Sequence, residues 1–329
     1  MPGPVPLVTV IRSGVEEAVH LGSVAVVDAD GGVVATAGDP DLVAFIRSCS
    51  KPFQAAASLS LMGETAEDLS DREAAVMCGS HHGEPEHLDA VRALLSRAGL
   101  GAEALRCPPG LPLDPEVALA VTERRAEYHN CSGKHAGMLL ACVRAGMDTT
   151  TYPDPDHPLQ REVMDLLTRG AGMEPVAVGV DGCGVPVHAF PLRAMATLFA
   201  RLSSPGALAP FEVPAGRAVR AVLAEPGMVS GSRGLDTALM RAIPRTVAKG
   251  GAEALHCTVL LDEGTAIAVK IADGGYRAVG PAVIRALRLL GAIPDTGEDD
   301  LARHAQPTVK GGGRRVGELV ATFDLKRRR

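Results

Sequence analysis

Stretches typical of β-strands lie at both ends of this 329-residue chain, and helical patterns fill its middle. Runs rich in β-branched residues occur at 7–11, 23–27 and 33–34, and they return at 246–249, 255–261 and 265–271. Apolar residues recur at helical spacing in segments 71–77, 86–98, 133–144, 160–169, 193–202, 216–224 and 281–290. A short strand at 176–180 interrupts the helical middle. This order predicts an α+β fold.

The terminal strands are expected to form one mostly antiparallel sheet, packed with the helical middle. Connections such as Asp262-Glu263-Gly264 are too short to hold the crossover helix that a parallel pair needs. We place the sheet at about 5–37 and 245–325 and the helical subregion at about 48–240. The length exceeds the roughly 250–300 residues at which one core usually stops growing, so we expect one large unit over 1–329 with two subregions.

The charge balance excludes some classes of function. Lys plus Arg number 33 and Asp plus Glu number 39, which gives a net charge of −6, and the chain has nine aromatic residues and no Trp. A nucleic-acid binder would show a basic surface and stacking aromatics, so no nucleic-acid partner is expected. No apolar run reaches the roughly 18–20 residues that span a bilayer, and no secretory signal is visible. Together with seven cysteines, an odd number, these features predict a cytoplasmic protein with reduced thiols and no membrane partner.

Lysine is scarce, and its few positions direct the search for chemistry. Only six of the 33 cationic residues are lysines, at 51, 134, 249, 270, 310 and 326. Arginine stays protonated in proteins, whereas a desolvated lysine can become a neutral amine. Positions that keep lysine are therefore the best candidates for a base or a metal ligand.

Ser48 and Lys51 form the first candidate pair. Three residues apart at the start of a helix, the hydroxyl and the amine share one face, and a neutral amine can activate a serine nucleophile. The spacing is the Ser-x-x-Lys pattern of penicillin-recognising enzymes. The alternative is an N-cap serine beside a solvated lysine, with Pro52 tolerated in the first helical turn.

Two further segments are compatible with the same chemistry. Ser80 lies between glycines in Cys78-Gly-Ser-His-His-Gly-Glu, where the penicillin-recognising set has Ser-Asp-Asn. Lys249 ends a predicted strand and precedes two glycines, a loose match to the Lys-Thr-Gly element. The alternatives are a helix-terminal turn for Ser80 and a strand-end lysine for Lys249.

A third group contains metal-ligand residue types. Cys131 and His135 are four residues apart and share a helical face, His129 lies nearby, and Cys183 follows the short strand. Two thiolates and one nitrogen ligand would leave an open zinc position. The spacing matches no standard zinc motif, and the alternative is two buried thiols.

In this order, these segments resemble the Rhizobium-type L-asparaginases, also called the asparaginase II family. The resemblance covers nearly the whole chain, and His129-Asn-Cys-Ser-Gly-Lys-His135 is its most specific part. The other matching segments are Arg12-Ser-Gly, Arg47-Ser-x-x-Lys-Pro-x-Gln, Cys78-Gly-Ser-His-x-Gly-Glu, Val180-Asp-Gly-Cys-Gly-Val-Pro, Met228-Val-Ser-Gly and Lys249-Gly-Gly-Ala-Glu. The last segment usually continues with glycine, and Ala254 stands there instead.

The resemblance implies hydrolysis of L-asparagine to L-aspartate and ammonia by a homodimer with a fold like serine β-lactamases and glutaminases. It implies two Ser–Lys tandems, Ser48 with Lys51 and Ser80 with Lys249. It also implies zinc bound by Cys131, Lys134 and Cys183, where spacing alone favoured a histidine over Lys134. Lys270 also ends a strand and competes with Lys249.

In the expected mechanism, neutral Lys51 removes the proton of Ser48. Ser80 and Lys249 then relay a proton to the leaving ammonia or activate the deacylating water. Arg47 is expected to bind the substrate α-carboxylate and Asp181 the α-ammonium, with His135 as a third substrate-binding group. The sequence leaves open which serine is the nucleophile and whether glutamine is also a substrate. A penicillin-recognising acyl-enzyme and a non-catalytic zinc or amino-acid binder remain alternatives.

Overall fold

A computed structural model describes residues 3–293 and 301–327 of the chain. The strands of these residues, in chain order, are β1 Val5–Arg12, β2 Val15–Val27, β3 Val33–Ala37, β4 Val43–Phe45, β5 Ala177–Val180, β6 Pro186–Pro191, β7 Thr246–Gly251, β8 Leu255–Leu260, β9 Thr265–Ile271, β10 Thr308–Gly311, β11 Arg314–Ala321 and β12 Lys326–Arg327. The helices are α1 Lys51–Met62, α2 Asp71–Cys78, α3 Pro85–Arg97, α4 Pro115–Ala120, α5 Ser132–Arg144, α6 Pro158–Ala171, α7 Leu192–Ala200, α8 Glu212–Ala224, α9 Gly227–Ser230, α10 Leu235–Ala242, α11 Val279–Leu289 and α12 Ala302–Ala305.

The chain divides into two compact units. The first contains residues Met1–Cys49, Phe190–Ser203 and Ala238–Arg329, and the second contains Ser50–Ala189 and Ser204–Thr237. The first unit holds most of the strands, and the second holds most of the helices.

The main structural element of the first unit is an antiparallel sheet. Its strands follow the order β10-β11-β1-β2-β9-β8-β7, and β3 pairs with β2 and β12. The registers are antiparallel throughout, with Ala25 opposite Ala268 and Lys249 opposite Cys257. Helices α7 and α11 pack on this sheet. The mixed α+β fold and its antiparallel sheet of N- and C-terminal strands are therefore confirmed.

Helix α1 is the centre of the second unit and is buried from Lys51 to Leu59. It packs against α2, α5, α6 and α8. Helices α2 and α5 approach closely because two glycines of α5 leave room for their partner. A Cβ at Gly133 would lie 2.5 Å from the Val76 carbonyl oxygen, and a Cβ at Gly137 would lie 2.5 Å from Cε of Met77. This close packing fixes the helix that carries Lys134 and His135.

The predicted elements match the observed ones closely at most positions. The six middle helical patterns correspond to α2, α3, α5, α6, α7 and α8, and the strand at 176–180 is β5. The sequence reading missed β6, which pairs with β5 in an antiparallel hairpin. The first helix begins at Lys51 with Pro52 in its first turn, and the preceding residues Arg47–Ser50 form a 3-10 turn.

His188 of β6 makes the stability of the second unit sensitive to acid. Its side chain is 1% exposed, its Nδ1 is buried without a hydrogen-bond partner among the described residues, and burial lowers its pKa to about 4. In the unfolded chain a histidine titrates near pH ~6.5. Neutral His188 therefore contributes stability that is present above this value and is lost as the pH falls towards the folded pKa.

We expect His188→Gln to reduce the loss of unfolding free energy between pH 7 and pH 4.5 by about 2 kcal/mol. Urea unfolding at both pH values measures this difference. Val187→Ala is the matched control, because Val187 is buried beside His188 in the same strand but does not titrate. An unchanged pH dependence in His188→Gln would contradict this assignment.

Candidate active site

Lys51, the first residue of α1, is buried with 1% of its surface exposed, and it contacts the Ser80 segment. Its Nζ donates to the carbonyl oxygens of Gly79 at 2.7 Å and Asn130 at 3.2 Å, and it lies 2.9 Å from Oγ of Ser80. These three partners belong to the second unit, as Lys51 does. The structure therefore joins Lys51 to Ser80, a pairing that the sequence reading did not contain.

The contacts of Lys51 suit either protonation state of its amine. A carbonyl oxygen only accepts, so Gly79 and Asn130 use two N–H donors in both states. Ser80 is different, because its hydroxyl can accept a third N–H from an ammonium or donate to the lone pair of a neutral amine. In the second arrangement Lys51 is placed to take a proton from Ser80. The geometry thus supplies what an amine base for serine requires.

The Ser80 loop is held rigidly on both sides. A Cβ at Gly79 would lie 2.4 Å from the carbonyl oxygen of Met228, so only glycine fits there, and the N–H of Ser80 donates to the Val229 carbonyl at 2.7 Å. The half-buried Ser80 side chain is therefore fixed in direction on a supported backbone.

His81, the next residue, has a structural hydrogen-bonding role. Oγ of Ser132 donates to the Glu127 carbonyl at 2.8 Å, so it accepts from Nε2 of His81 at 2.8 Å. Nδ1 of His81 accepts from the N–H of Gly83 at 3.2 Å. This is the pattern of a neutral imidazole, and burial lowers the His81 pKa well below its ordinary value.

Cys131, Lys134 and Cys183 lie together in the second unit, and all three are buried. Lys134 Nζ donates to Sγ of Cys183 at 3.0 Å, and the two thiols are hydrogen-bonded to each other. Within residues 3–293 and 301–327, no three His, Cys, Asp or Glu side chains converge to hold a metal ion. When lysine is counted as a ligand, the two sulfurs and this amine form one compact donor group.

The two thiols of this group differ in acidity. The hydrogen bond with Cys183 lowers the pKa of Cys131 well below its ordinary value, against the opposing effect of burial, and the charges of Lys51 and Lys134 lower it further. The same hydrogen bond raises the pKa of Cys183. Burial alone would lower the pKa of Lys134, but the nearby thiolate charges outweigh it and raise that pKa. Cys131 is therefore the more acidic of the two thiols.

His135, one residue beyond Lys134, is oriented by Tyr152. The Tyr152 hydroxyl accepts from the Arg106 N–H at 2.9 Å and lies 2.6 Å from Nδ1 of His135. Both side chains are fully buried, so the hydroxyl proton needs an acceptor, and Nδ1 supplies it. The proton of the neutral ring is then on Nε2. Among the described residues, this nitrogen has no hydrogen-bond partner. Burial lowers the pKa of His135 to about 4, which agrees with a neutral ring.

Asp181 lies beside this group at the end of the β5 segment. Its Oδ1 accepts from the Gly182 N–H at 2.9 Å, and its Oδ2 lies 4.0 Å from Sγ of Cys183. The side chain is half-buried. A carboxylate that borders the thiol cluster and remains accessible is placed to accept from a cationic ligand.

The first unit holds Arg47, Ser48 and Lys249. Arg47 has a φ of 48°, in the left-handed region that costs a non-glycine residue roughly 1–2 kcal/mol. Sγ of the following Cys49 donates to the Lys249 carbonyl at 3.0 Å, and a Cβ at Gly251 would lie 3.2 Å from that sulfur. The 3-10 turn that carries Ser48 therefore packs against the strand that carries Lys249. Strained backbone of this kind is frequent at active sites.

The two candidate lysines of the first unit differ in environment. Lys249 is 1% exposed and lies in the strand against the Ser48 turn, whereas Lys270 is half-buried and donates to the carbonyls of Glu253 and Ile271 at 2.6 Å. Nζ of Lys249 also donates to a backbone carbonyl, that of Gly250 at 2.7 Å, and Lys249 stays the predicted second lysine. The pairings of Ser48 with Lys51 and of Ser80 with Lys249 each join residues of different units and stay predictions.

Sequence reasoning missed Tyr152 and the carbonyl partners of Lys51. Neither has a local signal, because residues 51, 79 and 130 are distant in sequence, as are residues 135 and 152. The sequence signal that came nearest to predicting these contacts was the two glycines that flank Ser80, Gly79 and Gly83, which indicated a tight turn.

A buried amine that is hydrogen-bonded to a serine on an α+β fold suits a hydrolase that works through a serine hydroxyl. The model of a family described as L-asparaginase II matches residues 8–321. The chain therefore belongs to the L-asparaginase II family and is an asparaginase-type amidohydrolase.

Solved structures with similar folds include β-lactamases and a glutaminase. A putative β-lactamase from Bacteroides dorei is 16% identical, with a TM-score of 0.44 over 81% of this chain and 93% of that one. A β-lactamase from Mycobacterium bovis is 18% identical, with a TM-score of 0.38 over 83% and 95% of the two chains. A probable glutaminase from Bacillus subtilis, complexed with 6-diazo-5-oxo-L-norleucine, is 11% identical, with a TM-score of 0.41 over 83% and 84%. No curated protein matches the chain.

Proposed function

We propose that this protein hydrolyses L-asparagine to L-aspartate and ammonia through serine–lysine catalysis. The observation that carries the proposal is the buried Lys51 Nζ, 2.9 Å from Oγ of Ser80, in a chain of the L-asparaginase II family. Family membership supports the amide substrate, and the buried amine supports the serine chemistry.

In the proposed acylation, neutral Lys51 takes the proton of Ser48, and Oγ of Ser48 attacks the side-chain amide carbon. The tetrahedral intermediate collapses, the C–N bond breaks, and the nitrogen leaves as ammonia after it receives a proton. Ser80 and Lys249 relay that proton, and the Lys51–Ser80 hydrogen bond supports the relay. Water then attacks the acyl-enzyme, with the same amines as bases, and releases L-aspartate. Preorganised backbone N–H donors near Ser48 would stabilise the oxyanion.

Zinc is part of the proposal, with Cys131, Lys134 and Cys183 as its ligands. Their compact arrangement and the acidic Cys131 thiol fit a thiophilic ion, which Lys134 would coordinate only after losing a proton. When bound, zinc would supply a Lewis acid or hold the polar groups of the substrate. His135, with its Nε2 proton, is then a hydrogen-bond donor beside Cys183 rather than a ligand.

The substrate-binding groups are proposed from charge. Arg47 would donate to the α-carboxylate, Asp181 would accept from the α-ammonium, and His135 would donate through Nε2. The half-buried Arg47 and Asp181 keep side-chain surface accessible to a ligand.

We also propose that the protein is a homodimer, as the family resemblance implies, and that it is cytoplasmic, as its odd number of cysteines led us to expect. Among the described residues no helix is long and apolar enough to cross a membrane. Sedimentation of the purified protein measures the oligomeric state, and a monomer at micromolar concentration would contradict the dimer.

One assay tests the function. The purified protein is incubated with L-asparagine, L-glutamine and a chromogenic β-lactam, each with and without a zinc chelator. We expect ammonia from asparagine and no β-lactam opening. Turnover of glutamine alone would overturn the substrate assignment but retain the chemistry, and β-lactam opening without amide hydrolysis would favour a penicillin-recognising enzyme. Thermal stabilisation by asparagine without turnover would identify a binding protein.

The chelator arm tests the metal separately. If the cluster binds zinc, elemental analysis should detect the zinc that the chelator removes. Adding zinc back should then restore the original activity. Absence of zinc from protein prepared without chelator, combined with no change on adding zinc, would contradict the metal proposal.

A further inference from the structure

We propose that the first unit contains a binding site for a small aliphatic carboxylate, separate from the groups described above. A cavity of about 360 Å³ lies among α11, α12 and β11. Its polar lining comes from Arg285, Arg288 and Gln306, and its apolar lining includes Ile284, Ala305 and Leu319. None of the described residues that line it is acidic.

Arg288 provides the observation that points to a ligand. Its Nε is buried and has no hydrogen-bond partner among the described residues. A buried N–H that lacks an acceptor costs the free energy of its lost hydration, so an accepting group is expected at this position.

Arg285, one helical turn before Arg288, is already paired. Its Nε donates to the Phe323 carbonyl at 3.2 Å, and its Nη2 donates to Oδ1 of Asp324 at 3.0 Å. The Asp324 carboxylate therefore balances the charge of Arg285, whereas no described carboxylate balances Arg288. Arg288 is therefore the arginine of this lining that has no carboxylate partner among the described residues.

The class of ligand follows from this lining. A planar guanidinium matches the two oxygens of a carboxylate, and the resulting hydrogen bonds are charge-assisted. Ile284 and Leu319 are buried and apolar, so they favour a short aliphatic body behind the carboxylate. A neutral amide of the same shape would lack the charge that Arg288 requires.

Isothermal titration with glutarate tests the site, with the uncharged diamide glutaramide as the matched ligand. We expect glutarate to bind the wild-type protein and Arg288→Gln to bind it about tenfold or more weakly, because a charge-assisted hydrogen bond is lost. Glutaramide should bind both proteins equally and at least tenfold more weakly than glutarate binds the wild type. Glutarate that also binds the catalytic groups would do so in both proteins and leave the difference unchanged.

A second variant keeps the test valid if Arg288→Gln folds poorly. Ala305→Glu places a carboxylate in the cavity lining and should repel the ligand without removing an arginine. Its thermal unfolding temperature reports whether the fold is retained. Equal glutarate affinity in the wild type, Arg288→Gln and Ala305→Glu would overturn the proposal, and so would the absence of glutarate binding to the wild type.

Discussion

Lys51→Arg is expected to lower kcat/KM for asparagine by at least about 1000-fold, although it conserves the positive charge. General base catalysis contributes roughly 100- to 10,000-fold, and a guanidinium cannot lose the proton that this role requires. Arginine also disturbs the geometry, because it must reach the carbonyls of Gly79 and Asn130 from a fully buried position. Steady-state ammonia release measures the effect.

Lys310→Arg is the matched control for this substitution. Lys310 is an exposed residue of β10, so its replacement should leave activity unchanged. Lys51→Met separates chemistry from packing, because it fills similar volume without a titratable group. We expect both Lys51 variants to be inactive, and thermal unfolding shows whether they fold. Wild-type activity in a folded Lys51→Arg would refute the role of Lys51 as a base.

The fold was largely predictable because its signals are local. The runs at 7–11 and 23–27 are β-branched and became β1 and β2, and the helical spacing at 133–144 became α5. The strand β6 escaped prediction because Pro186 and Pro191 bound a run with little alternation, and all six residues are buried. A fully buried strand lacks the period-2 pattern that marks a half-exposed one.

The candidate site was predictable as a set of residues, but its connections were not. Residue type and spacing selected Lys51, Ser80, Cys131 and Cys183, and the resemblance added Lys134. The contact between Lys51 and Ser80 depends on how α1 packs within the second unit, and no local spacing encodes it. The same holds for Tyr152, which sets the protonated nitrogen of His135 through a hydrogen bond across 17 residues.

The roles of the two serines give the second large effect. If Ser48 is the nucleophile, Ser48→Ala should lower kcat by about a million-fold, as removal of a nucleophile does in a serine protease. Ser80→Ala should remove the proton relay and lower kcat by roughly 100- to 10,000-fold. The difference arises because a relay can be replaced in part by water, whereas the covalent intermediate has no substitute. Rapid-quench and steady-state ammonia assays cover this range.

Covalent labelling locates the nucleophile independently of rate. A diazoketone analogue of asparagine should alkylate the nucleophilic oxygen, and peptide mass mapping then identifies the modified residue. We expect the label on Ser48 in the wild type and in Ser80→Ala, and no label on either serine in Ser48→Ala. The opposite outcome, a nucleophilic Ser80, is chemically feasible because Lys51 is hydrogen-bonded to Ser80. A label on Ser80 with an active Ser48→Ala would show that Lys51 activates Ser80 directly and would reverse the proposed roles of the two serines.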